Sequence, residues 1–328
     1  MGNQKTSLIC NKIWKRINLT LPLFLLLLIS LKAQNYTPFL QGQAAYLYYN
    51  PAFAGSTGFH RVGVGYHEAN DKMQRLYLSY DQYFSKAKCG FGFLATNIPT
   101  YFGSSDQKIN YTFLEIAASP KVRISKKIML STGVSLSLGG NSYSIDKAKN
   151  FVNNEVPSAI HINYSAGAVL NSKGFYAAYC IRKYNPLLST FDTLTKKYDL
   201  REISTLFSTI QIGMIFKTNR SFNVVPSLIY QIYHHPDMTR LNDLTLFANF
   251  KYKKFFWALG IGGSNMQFSV GYYGERYRFG LSKGLSYHNL LSEQGYLFAS
   301  YELFLSYTFE DFSSRLFNLQ PAKSEEEK

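Results

Sequence analysis

The sequence predicts an all-β fold, a transmembrane β-barrel of the outer membrane with about 14 antiparallel strands, and 12 as the alternative count. Three observations support this prediction. The chain opens with an export leader, and no later segment has the roughly 18 consecutive apolar residues of a membrane helix. Apolar residues alternate with small or polar ones across residues 59–309. Finally, 26 Tyr and 26 Phe accompany only 17% charged residues, as expected of strands with one face in lipid.

The first element is the leader, residues 1–33. Four basic residues precede an apolar run at 21–29, and the small residue Ala33 offers a cleavage position. The run is shorter than the roughly 20 apolar residues that span a bilayer as a helix. We therefore interpret 1–33 as a cleaved secretory signal peptide, with an uncleaved anchor as the alternative.

The net charge argues against a nucleic-acid partner. The formal charge is +15, from 35 Lys and Arg against 20 Asp and Glu. Five basic residues and no acids leave with the leader, so 30 basic residues remain against 20 acidic ones, which gives +10. This charge is scattered along the chain, and no basic recognition element appears, so nucleic-acid binding is not predicted.

The second element, residues 34–58, is predicted to be an N-terminal periplasmic or plug segment. Its centre reads "YYNPAFAGSTG". Asn initiates turns, Pro fixes φ, Gly tolerates positive φ and Ser bonds nearby backbone, so the stretch predicts an ordered turn leading into the first strand. A contact to a periplasmic partner is compatible with that role. The candidate partner-binding residues are Asn50, Pro51, Ala52, Phe53, Ala54, Gly55 and Ser56.

The third element is the barrel itself, residues 59–309. The clearest alternation is "IMLSTGVSLSL" at 128–138, where one face is aliphatic and the other is serine and glycine. The stretch 275–284, "ERYRFGLSKG", divides in the same way and directs Arg276 and Arg278 to the polar face. Apolar outside and polar inside is the barrel pattern, although a soluble β-sandwich also alternates.

Connection lengths favour the barrel over the sandwich. Short turns such as "SKA" at 85–87 follow even-numbered strands, whereas the long connections 98–108, 141–158 and 185–203 follow odd-numbered ones. Short periplasmic turns that alternate with longer external loops are typical of outer-membrane barrels. Both ends of the barrel should then lie in the periplasm, and the last element, 310–328, is predicted to be a polar periplasmic tail.

Neither an enzyme nor a metal site is predicted. His67 and His161 are the histidines that a barrel hydrolase would use, but no nucleophile can be assigned beside either of them. The pair in "HHP", 234–236, would point to opposite sides of a strand. No catalytic residue, cofactor or metal ligand is therefore proposed from the sequence, and a barrel hydrolase remains a minor alternative.

Residues 39–58, "FLQGQAAYLYYNPAFAGSTG", resemble the start of mature PorP/SprF-family proteins, which are outer-membrane components associated with type IX secretion in Bacteroidetes. The matching core is the stretch from Asn50 to Ser56. Looser similarity continues through "GFYAAYCIRKYNP", "NVVPSLIYQ" and "NDLTLFANFKYKKFFWALGI". The resemblance covers residues 39–309.

The resemblance implies a function and a set of partners. Members of the family are expected to move or hold secreted proteins at the outer membrane. The expected partners are a secreted cargo protein with a type B C-terminal sorting domain, including gliding adhesins, and periplasmic type IX ring or peptidoglycan-linking components. Outer-membrane lipid would surround the barrel. The leading hypothesis is thus a non-enzymatic component that anchors a cargo protein or assists its export. The alternative is a passive or ligand-selective pore, to which lumen-facing Arg276 and Arg278 would contribute.

Overall fold

The computed structural model describes residues 46–69, 73–102, 107–143, 160–184, 187–192, 197–202, 205–217, 221–234, 241–262, 265–274, 276–288 and 296–309. The predicted signal peptide 1–33, the stretch 34–45 and the predicted tail 310–328 lie outside these residues. Within the described ranges, no helix has the length and apolar character needed to cross a membrane.

Strands dominate the described residues. A short helix, α1 (Tyr46–Tyr49), and a 3₁₀ turn (Pro51–Phe53) precede them. The strands are β1 (His60–Ala69), β2 (Met73–Phe84), β3 (Cys89–Phe102), β4 (Gln107–Ser125), β5 (Ile128–Tyr143), β6 (Ile160–Ser172), β7 (Phe175–Tyr184), β8 (Leu187–Asp192), β9 (Lys197–Glu202), β10 (Thr205–Met214), β11 (Phe216–Lys217), β12 (Phe222–His234), β13 (Leu241–Tyr252), β14 (Phe255–Gly262), β15 (Asn265–Tyr273), β16 (Tyr277–His288) and β17 (Tyr296–Phe309).

The strands close into an antiparallel barrel. Each wall strand pairs with its neighbours along the chain, and β1 pairs with β17 from His60 opposite Phe309 to Ala69 opposite Ser300. On the far side β10 pairs with β12, and β11 continues β10 after Ile215. The wall therefore has 14 strands, which confirms the higher of the two predicted counts.

Several stretches that were predicted to be loops contain further strand, among them 141–143 at the end of β5. Within 185–203, β8 and β9 pair with each other in a separate two-stranded sheet. Within 98–108, β3 continues to Phe102 and β4 begins at Gln107, and these extensions pair with each other. The Ile, Thr, Tyr and Phe residues of 98–108 favour extended backbone, so the hairpin continues past the predicted boundary.

The two faces of the wall differ in chemistry as predicted. On β5, Leu136 is 48% exposed while its neighbour Ser137 is 5% exposed. The same division runs through β16, where Phe279 and Leu281 point outward and Ser282 is buried. Apolar side chains thus cover the outside, and serine, glycine and charged side chains fill the inside, as a barrel in lipid requires.

One end of the barrel carries the short turns, at 85–88, 126–127, 173–174 and 253–254, together with both ends of the wall. We call it the short-turn end, and in outer-membrane barrels it faces the periplasm. Aromatic rings contact each other there, with centroid distances of 4.7 Å for Tyr277 and Tyr307 and 5.7 Å for Phe250 and Trp257. Aromatic girdles of this kind occupy membrane interfaces.

Candidate functional site

Residues 46–58 lie against the inner wall of the barrel, and we call them the plug segment. The local fold follows from the sequence "NPAF". Asn50 has extended backbone, and its Oδ1 accepts a hydrogen bond from the amide of Ala52 at 2.9 Å. Pro51 occupies the first position of the 3₁₀ turn, where no backbone donor is needed and its fixed φ suits the geometry. The Ala54 amide closes the turn on the Pro51 carbonyl at 3.1 Å.

Asn50 also ties the plug segment to the wall. Its Nδ2 donates to the carbonyl of Tyr179 on β7 at 3.0 Å and to that of Ala168 on β6 at 3.4 Å. The residue is 2% exposed, so its amide satisfies its hydrogen bonds within the protein rather than with bulk water. One side chain thus shapes the turn and fixes its position.

A second attachment uses an ion pair. The amide of Gly55 donates to Asp81 Oδ2 at 2.9 Å, while Asp81 Oδ1 accepts from Arg61 Nε at 2.7 Å. Both charged side chains are buried. Gly55 has φ of +62°, which glycine adopts without steric cost. The Arg61 guanidinium also lies 4.9 Å from the centroid of the Tyr46 ring.

A third attachment holds the centre of the turn. The carbonyl of Ala52 accepts from Ser119 Oγ at 2.9 Å and from Lys121 Nζ at 3.5 Å, both on β4. On β5, a Cβ built at Gly133 would overlap the backbone of Pro51 and Ala52. The absence of a side chain at Gly133 therefore lets the plug segment lie directly on the wall.

The helix α1 contacts a further charged pair. Arg182 on β7 pairs with Glu115 on β4 at 3.2 Å and donates to the carbonyl of Leu47 at 3.4 Å. Its guanidinium carbon lies 5.1 Å from the centroid of the Tyr48 ring. Burial raises the pKa of the Tyr48 phenol, and the positive charge of Arg182 opposes that rise. Tyr48 is therefore a neutral phenol at physiological pH.

The structure places the seven predicted residues in two environments. Asn50, Pro51, Ala52, Ala54 and Gly55 are buried against the wall, whereas Phe53 is half-buried and Ser56 is exposed. Most of the motif therefore serves attachment. Phe53 and Ser56 line an internal space and are the members of the motif available to another molecule.

That space, the lumen cavity, has a volume of about 480 Å³ and lies between the plug segment and the strands β10–β16. Met129, Asn171 and Tyr176 of its lining stand next to short turns, so the cavity is at the short-turn end. Its lining combines amides, aromatic rings and cations. They include Gln211, Phe247, Asn249, Phe256, Gln267, Lys121 and Arg278.

The predicted histidines and arginines are dispersed. His67 is buried on β1, in register with Arg75 and Glu302 on the neighbouring strands, and His161 is buried on β6, in register with Gly139. Among the described residues, no group of three or more His, Cys, Asp or Glu side chains is placed to hold a metal ion. Of the two arginines predicted to face the lumen, Arg278 lines the cavity and Arg276 is exposed.

Sequence reasoning missed the wall residues that hold the plug segment, namely Arg61, Asp81, Ser119, Lys121 and Arg182. The alternation of apolar and polar residues along the strands gives a signal for some of them. Arg61 and Asp81 both fall on inward-facing strand positions, where an ionised side chain needs a partner. Which partner each one takes depends on strand register, and that is set by pairing across the barrel rather than by local sequence.

A comparison with protein families identifies the chain. The sequence profile described as "Type IX secretion system membrane protein PorP/SprF" matches residues 31–307. The chain belongs to the PorP/SprF family. This PorP/SprF protein is thus a membrane component of the type IX secretion system, and its 14-strand barrel places it in the outer membrane. No curated protein matches the chain significantly.

Solved structures share the fold of this PorP/SprF protein. The CymD monoaromatic hydrocarbon channel is 12% identical, with a TM-score of 0.50 over 85% of this chain and 94% of that one. A deletion mutant of TodX, also a monoaromatic hydrocarbon channel, is 10% identical, with a TM-score of 0.50 over 80% and 94% of the two chains. At these identities the likeness concerns the barrel fold alone.

Proposed function

We propose that this PorP/SprF protein is a non-enzymatic component of type IX secretion that anchors a secreted cargo protein at the outer membrane or assists its export. The proposed cargo carries a type B sorting domain or is a gliding adhesin, as the family resemblance implies. Periplasmic type IX ring or peptidoglycan-linking components are the proposed further partners. Family membership supports the pathway, and the geometry of the plug segment supports a binding role within it.

The single observation that carries the binding role is the position of Phe53. The wall holds the residues on either side of it through Asn50 and Gly55, while the ring of Phe53 lines the lumen cavity. An aromatic side chain on a rigidly held backbone loses little conformational entropy when a partner covers it, which is the property of an interface hot spot.

The role is tested in two steps. First, a strain that lacks this protein should lose export or surface retention of at least one secreted protein. If every surface protein is still exported and retained, the proposal is overturned. Second, the Phe53→Ala variant should insert as a folded barrel and lose co-purification of its partners. The matched control is Phe250→Ala, which removes an aromatic ring that does not line the cavity.

A passive or ligand-selective pore is the second candidate, and the lumen cavity beside the plug segment is the observation that favours it. Planar-bilayer recordings of the purified protein separate the two functions. Stable single-channel steps that persist with the plug segment in place would support a pore. A sealed barrel in the same recordings would count against it and leave the binding role.

A further inference from the structure

The lumen cavity carries an excess of positive charge. Arg61, Lys121 and Arg278 line it, and no carboxylate is among its described lining residues. Arg61 is matched by Asp81 through the 2.7 Å ion pair. Lys121 donates to the Ala52 carbonyl and to Ser119 and Ser131, which are neutral acceptors. The carboxylate of Asp81 also attracts Lys121 but is already paired with Arg61, so one carboxylate serves two cations.

Arg278 lines the cavity from β16 and forms no ion pair with a carboxylate among the described residues. Its guanidinium carbon lies 4.1 Å from the centroid of the Tyr273 ring, and its buried Nε has no hydrogen-bond partner among the described residues. The ammonium of Lys251 lies 4.7 Å from the centroid of the same ring. Two cations thus contact the same aromatic ring at the edge of the cavity. Cations that are partly desolvated in this way are stabilised by any carboxylate that approaches them.

From this arrangement we infer that the lumen cavity is a binding site for a carboxylate-rich peptide segment that enters from the periplasm. Lys121 on one wall and Arg278 on the other would take carboxylates. Gln211, Asn249 and Gln267 between them supply donors and acceptors for a peptide backbone, and Phe53 and Phe256 supply apolar surface. This inference deepens the proposed function, on which it rests, because it specifies the chemistry of the segment that the family's partner would insert.

The size of the cavity fits a short peptide segment. A volume of about 480 Å³ lies within the range of roughly 300–1,000 Å³ that ligand pockets occupy. A mixed lining of apolar surface and a few placed polar groups is also typical of such pockets. The charges give the site a sign preference, so a glutamate-rich segment is favoured over its glutamine counterpart.

A carboxylate-rich segment can come from two sources. One is a periplasmic partner. The other is this chain, whose residues 321–328 read "PAKSEEEK" and follow the last wall strand, which ends at the short-turn end. An attached segment would compete with a free one at a high effective concentration. Neutralising the three glutamates at 325–327 in the full chain therefore distinguishes the sources.

The test uses the purified full chain in detergent and a fluorescently labelled synthetic peptide of sequence "PAKSEEEK", with "PAKSQQQK" as the matched peptide. We expect saturable binding of the first peptide that weakens as salt is raised, because charge pairs are screened. Lys121→Met and Arg278→Gln should each weaken binding roughly tenfold, as loss of a charged hydrogen bond does. Lys127→Gln, which removes a charge from an exposed turn, is the control.

The binding measurements either identify the source of the segment or overturn the inference. If the peptide binds the triple variant Glu325→Gln, Glu326→Gln, Glu327→Gln more tightly than the native chain, the tail of the chain itself occupies the site. If the peptide binds both chains equally, the segment comes from a partner. If Lys121→Met does not fold, Arg278→Gln alone decides. Absence of saturable binding to both chains, or equal affinity for the two peptides, overturns the inference. Such a failure leaves the proposed function untouched, since that function is measured by export and retention in cells.

Discussion

The side-chain amide of Asn50 donates a hydrogen bond to the main-chain carbonyl of Tyr179, with 3.0 Å between Nδ2 and O. The two residues are 129 positions apart in the chain. This contact joins the most recognisable sequence motif to strand β7. It makes the motif part of the barrel rather than a peptide that hangs beside it.

Replacing Asn50 with Ala should loosen the plug segment and leave the wall intact. The change removes the cap on the Ala52 amide and leaves buried carbonyls without their donor, a loss of about 1–3 kcal/mol. We expect the Ala52 amide to exchange with solvent about tenfold faster or more by hydrogen-exchange measurement. The control is Asn249→Ala, whose amide donates to the Val225 carbonyl on the opposite wall. Unchanged exchange at Ala52 would contradict the prediction.

A methyl group at Gly133 should displace the plug segment from β5. The new Cβ would overlap backbone atoms of Pro51 and Ala52, which cannot rotate away as a side chain can. Hydrogen-exchange mass spectrometry of Gly133→Ala should show lost protection across residues 50–55. Gly260→Ala is the matched control, because its Cβ would meet the ring of Phe247 instead. Equal protection in the two variants would show that the wall accommodates the methyl group.

The Arg61–Asp81 pair should show strong energetic coupling. Asp81→Leu alone leaves a buried guanidinium without its partner and removes the acceptor for Gly55, a loss of about 3–5 kcal/mol. The double variant Arg61→Met, Asp81→Leu should recover part of this loss because the guanidinium is removed together with its partner. Denaturant unfolding in lipid bilayers, followed by tryptophan fluorescence, gives the four free energies of the cycle. Simple additivity of the two single changes would be the contrary result.

A charged residue on the lipid-facing side of β5 should destabilise the barrel. Leu136 lies near the middle of the strand and is exposed on the outer face. Leu136→Arg should reduce the free energy of unfolding in bilayers by about 2–4 kcal/mol, the usual loss for arginine at the bilayer midplane. Leu136→Met should change it by less than about 1.5 kcal/mol. If Leu136→Arg leaves the free energy of unfolding unchanged, this position lies outside the hydrocarbon region.

The sequence was sufficient for the barrel because the signal is local. A two-residue period identifies each strand, as residues 128–138 illustrate, and turn residues mark where it ends. The predicted strand ends were least accurate at 98–108, where β-favouring residues extend β3 and β4 beyond them. The β8–β9 hairpin was missed because it lies outside the wall, in a stretch that was interpreted as a long connection.

The sequence was insufficient for the site because the site is made by distant pairs. Turn chemistry predicted an ordered segment at Asn50 to Ser56, and the structure shows how that segment is ordered. No local pattern indicates that Ser119 and Gly133 receive Ala52, or that Lys121 and Arg278 face one cavity. Those relations depend on closure of the wall and on the register of strands far apart in the chain.

The attachments of the plug segment have a consequence for the order of assembly. The hydrogen bonds of Asn50, Ala52 and Gly55 reach β2, β4, β6 and β7, all of which precede residue 185. The 3₁₀ turn therefore finds these hydrogen-bond partners in the first half of the polypeptide, whereas Tyr46 contacts Tyr273 on β15. The turn can act as an internal template on which seven strands curl into a half-cylinder, leaving the second half to seal an already shaped seam.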